Sequence, residues 1–301
     1  MFAYHRQLIA DSPRSLAYRD ALRRVVKSGD AVIDLGSGSG VLAFFAAEAG
    51  ARRVYAIERG HMADAISLLV SHLGFADRIE VRHQHSREVE LPERASVLVS
   101  ETLGSFGLEE QIISQTIDAR ARLLTEDATI IPRRVALWLV PVELPDLHER
   151  HVSWWSKPRY GFDLSPIRVF ASNTLVTGDI TAAAYLARPA RIIDVDLTTV
   201  TDPNVSGRAS FEAERDGVLH GFGGWFDATL IEGITLANDE PHATCWAQVF
   251  LPLDEPVALT RGTRVEAELE SHDGTAWRWR GRAGEREFDQ TTWLSAPPCI
   301  K

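Results

Sequence analysis

One segment narrows the fold more than any other: Ala31-Val32-Ile33-Asp34-Leu35, then Gly36-Ser37-Gly38-Ser39-Gly40, then the apolar run Val41 to Ala49. The first part reads as a buried strand and the last as a helix. Three glycines at alternate positions between them allow a tight strand-to-helix turn whose backbone a ligand can approach. Around this unit the alternation continues. Val54 to Glu58, Ile79 to Val81 and Val97 to Ser100 read as strands, and 63–73 and 110–124 as helices. Continuous apolar strands alternating with helices indicate a parallel sheet covered on both faces. Residues 4–27 read as a helix, or as two with a break near Ser12, because Pro13 falls inside the stretch.

The pattern changes after Ile130-Ile131-Pro132. Short β-type runs follow at 135–140, 192–197, 221–230, 246–251 and 265–269, separated by turn residues, which indicates an antiparallel sandwich or barrel. Residues 146–170 are rich in aromatic, charged and proline residues and read as an insertion or arm. A chain of 301 residues exceeds the usual size of one core. The expected fold is therefore a doubly wound α/β domain over 1–132, followed by an antiparallel β domain over 133–301.

Charge and composition exclude several classes of function. A net charge of −10 argues against a nucleic-acid surface and is compatible with a cationic substrate. Two cysteines, Cys245 and Cys299, are too few for a disulfide framework. Cys245 reads as a small buried hydrophobe rather than a nucleophile. No run approaches the length of a membrane-spanning helix, and the N-terminus lacks a signal region, so a cytoplasmic protein with no membrane partner is expected. His61, His72, His83 and His85 have no metal-ligand spacing, so no metal is expected.

The glycine loop constrains its ligand further. A dinucleotide fingerprint needs glycine where Val41 stands, and a P-loop needs Gly-Lys-Ser/Thr, which is absent. Asp34 ahead of the glycines suits a ligand carrying an amino group. Glu58 ends the second strand, where a carboxylate can accept both ribose hydroxyls of a nucleoside. The alternative is a tight turn with an acid downstream by chance. Glu101 closes an apolar strand at the ligand edge of the sheet, where a charge needs a partner. Glu110, taken alone, is equally an acid favoured by a helix N-terminus.

Together these residues resemble the protein arginine methyltransferases. Ile33 to Leu42, Phe45-Ala46-Ala47 and Ala49-Gly50-Ala51 are similar to the first motif of that family. Ser100-Glu101-Thr102-Leu103-Gly104 with Glu110, nine positions after Glu101, resembles its double-glutamate loop. His5, Asp11 and Arg14 fall where the family's helix covers the cofactor. Ile131-Pro132 matches its domain junction, Trp154-Trp155 with Tyr160-Gly161-Phe162-Asp163 its dimerisation arm, and Thr244-Cys245-Trp246 its Thr-His-Trp loop.

The resemblance implies an enzyme with a Rossmann-like S-adenosylmethionine domain, a β-barrel and an arm-mediated homodimer. The acceptor it implies is an arginine in a protein or peptide; a small guanidino or amino compound, or a cofactor-binding module of weak activity, are the alternatives. The resemblance assigns Glu101 and Glu110 to catalysis. His5, Arg14, Asp34, Gly36, Gly38, Glu58 and Ser86 are assigned to the cofactor, with Arg14 on its carboxylate. The chain also departs from the family. It begins four residues before His5, so the aromatic-rich lid helix is expected to be missing or supplied otherwise. Cys245 replaces the loop histidine that would pair with Asp11, and Arg87 replaces an acid that contacts adenine.

Overall fold

The computed structural model describes residues 2–239 and 244–294. Cys299 lies outside the described residues. The chain opens with two helices, α1 (Phe2–Ala10) and α2 (Ser12–Val25). The break falls at Asp11, whose side chain caps α2 by accepting the Arg14 N–H at 3.0 Å, with Pro13 in the first turn where its missing N–H is not needed.

The first sheet contains β1 (Ala31–Leu35), β2 (Arg53–Glu58), β3 (Ile79–His83), β4 (Ala95–Ser100) and β5 (Leu124–Ile131). All its pairings are parallel, in the order β3-β2-β1-β4-β5. Helices α3 (Val41–Glu48), α4 (Met62–His72) and α5 (Ile112–Arg122) connect the strands. All five residues of β1 are buried, as expected for the central strand of a sheet covered on both faces. The strand order reverses beside β1, which places the ligand crevice at the carboxyl ends of β1 and β4.

The helix expected over 110–124 is shorter at both ends. Glu110 lies in a turn before α5, and Leu124 already begins β5. A strand over 124–131 is not obvious in the sequence because Thr125, Glu126 and Asp127 interrupt its apolar pattern at the solvent-facing start.

After β5 the architecture changes to antiparallel. Strand β6 (Arg134–Val142) leads into the arm, which contains α6 (Pro145–His151) and α7 (Arg168–Ala171). Then follow β7 (Val176–Gly178), β8 (Ala190–Asp196), β9 (Asn204–Glu212), β10 (Gly217–Ile231), β11 (Ile234–Ala237), β12 (Gln248–Leu259), β13 (Arg264–His272), β14 (Ala276–Ala283) and β15 (Arg286–Thr291). One sheet runs β7-β12-β10-β6-β8 with β11 on β10, and the other β15-β14-β13-β9. Contacts of β8 with β9 and of β12 with β15 close the two sheets into a barrel. Trp277 and Trp279 on β14 face its core, while Arg278 and Arg280 pair outward with Asp289, Glu268 and Glu270. The larger apolar core runs from Tyr18 on α2 to Phe288 on β15, crossing from the parallel sheet into the barrel, and a smaller cluster around Val140, Val142, Ile180, Trp225 and Phe250 lies beside it.

Candidate active site

A cavity of about 440 Å³ opens at the carboxyl edge of β1, β2 and β4, within the usual size of a small-ligand site. Its floor is the glycine turn. Gly36 and Gly38 both have positive φ, +76° and +54°, which a side chain would strain. A Cβ on Gly36 would lie 2.8 Å from Thr102, and one on Gly38 3.1 Å from the His5 ring. The turn is held from beneath by the Ile57 carbonyl, which accepts the N–H groups of Gly36 and Ser37 at 3.0 Å.

Glu58 enters the cavity from the end of β2. Its Oε2 accepts the Gly38 N–H at 2.9 Å and its Oε1 the Gly60 N–H at 2.6 Å, so two backbone donors fix the carboxylate's orientation. His5 lies over the turn, and Ser86 lines the opposite wall with Gln84 and His85. Arg87 turns away, donating to the Ser114 hydroxyl at 3.0 Å.

Asp34 does not join them. It is fully buried beneath the turn and does not line the cavity, so it cannot meet a ligand's amino group there. Its Oδ2 accepts the Ala43 N–H at 3.0 Å, securing the first turn of α3, while Oδ1 has no partner. Burial pushes this carboxyl up to about 7, against the opposing hydrogen bonds. The sequence places Asp34 at the right end of the strand; the inward direction of alternate side chains removes it from the site.

Both predicted glutamates line the cavity, brought there by the loop between β4 and α5. Glu101 is buried and ion-paired with Arg14, whose Nε donates to Oε2 at 3.0 Å and whose Nη2 meets the same oxygen. Arg14 also donates to the Leu8 carbonyl at 3.1 Å and lies over the Trp246 ring. The guanidinium assigned to a cofactor carboxylate lines the cavity and is engaged there by a protein carboxylate. Burial pushes the Glu101 carboxyl up while Arg14 draws it down.

Glu110 lies where the cavity meets solvent, and partial desolvation of its carboxyl, then Glu101 and Glu109, push it up to about 7. Glu109, next to it, turns back into its own loop and accepts the Phe106 N–H at 2.8 Å. The two acids in tandem therefore differ in role, which spacing alone does not reveal.

Cys245 is exposed rather than buried. Its backbone N–H donates to Asp11 Oδ2 at 2.7 Å, so the loop reaches α2 through its main chain where an imidazolium would have paired. Partial desolvation on its inner side and the Asp11 carboxylate push the thiol up to about 12, so it stays protonated and unreactive at neutral pH.

Sequence reasoning missed Tyr4, Gln111, Gln115 and Thr275, which also line the cavity. Tyr4 was detectable, since it shares a helical face with Leu8. Its hydroxyl is pushed up to about 12 by burial, Glu110 and Glu101. Thr275 comes from the β13–β14 turn, about 165 positions beyond Glu110, and nothing local in the sequence signals its position.

Comparison with known proteins gives concordant matches. Residues 133–282 match the family model described as the arginine methyltransferase oligomerization subdomain, and 18–131 match that of the ribosomal protein L11 methyltransferase. The chain is similar to protein arginine N-methyltransferase 6 of Danio rerio, with 34% identity over 281 residues, spanning 88% of this chain and 80% of the relative. It is 32% identical to protein arginine N-methyltransferase 2 of Homo sapiens over 292 residues, spanning 91% of this chain and 67% of the relative. Among solved structures, the Trypanosoma brucei PRMT1 enzyme–prozyme heterotetrameric complex with AdoHcy superposes with a TM-score of 0.85 at 22% identity, over 97% of this chain and 98% of the other. Protein arginine methyltransferase 10 of Arabidopsis thaliana superposes at 0.82 with 23% identity, over 97% of both chains.

Proposed function

The chain belongs to the protein arginine methyltransferases, and from that premise we propose that it methylates a guanidinium nitrogen of arginine in a protein or peptide, using S-adenosylmethionine. The residues present fit that cofactor. Glu58 offers a carboxylate to a ribose, Gly36 and Gly38 keep the cavity floor clear of side chains, and Ser86 with Gln84 and His85 presents polar groups on the far wall. Bound there, S-adenosylmethionine supplies a methyl group activated by its sulfonium.

The chain's own residues prepare the acceptor. An arginine side chain stays protonated at neutral pH, its charge spread over three nitrogens. Glu101 and Glu110 can hold that guanidinium by charge-assisted hydrogen bonds and aim one nitrogen into the cavity. They also draw positive charge toward the nitrogens they bind, leaving the attacking one more nucleophilic, and stabilise the cation that develops. A strong general base is unnecessary, because the acceptor proton becomes acidic only as the new bond forms.

One observation carries this reading: two carboxylates, Glu101 and Glu110, line the same cavity as the glycine turn and Glu58. Such a pair is short of positive charge, and a guanidinium relieves the repulsion. Arg14 shows that Glu101 already receives one guanidinium, which opposes the upward push of burial on its carboxyl. The test is transfer of labelled methyl to an arginine-rich peptide, to free arginine and to a lysate. Glu101→Gln or Glu110→Gln is expected to abolish transfer while calorimetry still detects the cofactor, and Glu58→Ala to weaken cofactor binding. Transfer that survives both glutamine variants would remove the guanidinium mechanism.

The proposed assembly is a homodimer made through the arm. Tyr160 and Phe162 are 97% and 69% exposed on the arm, and Leu68 on α4 and Leu73 just after it are 74% and 50% exposed. Two exposed apolar groups, one on the arm and one at α4, can cover each other when a second copy is added, and two-fold symmetry makes the contact twice.

A further inference from the structure

The loop carrying both glutamates belongs to the first domain in sequence but is enclosed by the second. Its apolar residues Leu103, Phe106 and Leu108 are fully buried, and the Phe106 ring lies 4.9 Å from that of Trp277 on β14. The β13–β14 turn closes on the same loop. A Cβ on Gly274 would lie 1.7 Å from the Leu108 carbonyl oxygen and 3.0 Å from the Glu109 Cα, so only glycine permits this approach.

On either side of Gly274 the turn directs a side chain toward the site. Thr275 reaches the cavity wall. Asp273, at φ +50°, directs its carboxylate at the start of α5, where Oδ1 accepts the Ser114 N–H and Oδ2 the Gln111 side-chain amide, both at 3.3 Å. This completes what α5 lacks. Its own N-cap residue, Gln111, has φ +62° and offers no capping hydrogen bond, so orphan N–H groups at the helix start depend on a residue from the other domain. Glu110 immediately precedes Gln111, and its carbonyl accepts the Gln115 side-chain amide at 2.7 Å.

We propose that Asp273 is a positioning residue for arginine methylation: by capping α5 across the domain junction it fixes Gln111, and through Gln111 the direction in which Glu110 meets the acceptor. The acceptor half of the cavity is thus assembled jointly by the two domains, with Thr275 as the barrel's contribution to its wall. This rests on the reading that Glu110 grips the acceptor. Asp273 does not line the cavity, so its effect is expected in the loop and in turnover but not in cofactor affinity.

The experiment compares Asp273→Ala and Asp273→Asn with the wild-type full chain in three measurements. These are kcat/KM for an arginine peptide, calorimetric Kd for S-adenosylhomocysteine, and hydrogen exchange of the amides of residues 109–115. Asp273→Ala is expected to lower kcat/KM by roughly tenfold, the scale on which small misplacements act, to speed exchange at Ser114 and its neighbours, and to leave the Kd unchanged. Asparagine retains an acceptor for the Ser114 N–H and tolerates positive φ, so Asp273→Asn is expected to recover most of the rate. It also keeps the comparison usable if the alanine variant does not fold. Unchanged kcat/KM, or a lower Tm with unchanged kcat/KM, would overturn the proposal. Exchange is read without an acceptor, so a wild-type chain that methylates no arginine would remove the arginine reading while the capping role is still decided.

Discussion

At the scale of single residues, the two carboxyls raised to about 7 have opposite consequences for experiment. Glu110 faces the acceptor, and its ionised form is the one that grips a guanidinium. The expected kcat/KM for an arginine peptide therefore climbs as pH rises through about 7 in the free enzyme. A profile flat across that range would separate Glu110 from the acceptor. Asp34 is buried beneath the glycine turn, so its titration is read in stability. Its folded pKa is raised from 3.8, so its favourable contribution is complete below that value and is lost as pH rises through about 7. Asp34→Asn keeps an acceptor for the Ala43 N–H and carries no charge. In denaturant titrations it is expected to gain roughly 2 to 4 kcal/mol over wild type at pH 8, a gap that closes by about pH 4. A gap independent of pH would show that burial of the charge is not its cause.

Among the elements, α1 is weakly secured. No residue of Phe2–Ala10 is fully buried, yet Tyr4, His5 and Leu8 line the cavity. A helix of this length has little stability of its own, so it depends on what it covers. Amides of residues 2–10 are expected to exchange almost freely in the ligand-free chain and to slow at least tenfold when S-adenosylhomocysteine is saturating. Equal exchange in both states would mean that α1 does not close over the cofactor. The sequence shows both the helix and its break near Ser12, because proline and the Asp11 cap act within a few residues. It does not show that Glu110 lies in a turn: the acids, Gln111 and the following apolar residues fit a helix start, and the close approaches to this loop, Phe226 and Val135 at Gly107 and Gly274 at Leu108, come from the barrel.

For the whole molecule, the continuous core from α2 to β15 ties the parallel sheet and the barrel together, while the arm projects apolar groups outward. Light scattering is expected to give twice the chain mass at micromolar concentration. Replacing Tyr160 and Phe162 together by serine is expected to give the monomer, since two exposed aromatics supply several kcal/mol of burial on association. A wild-type monomer would remove the arm-mediated assembly.

The sequence by itself determined the strand–glycine–helix turn, the parallel layer built on it, the change to antiparallel strands after Pro132, and the positions of Glu58, Glu101 and Glu110 at strand ends or one loop away. Each depends on periodicity, backbone freedom or spacing along the chain, and these are local. Only the tertiary structure decided that Asp34 points away from the ligand, that Arg14 is held by Glu101, that Cys245 is exposed, and that Asp273 and Thr275 complete the site. Those outcomes depend on which distant surfaces meet, and burial and pairing between segments 80 to 235 positions apart leave no local trace.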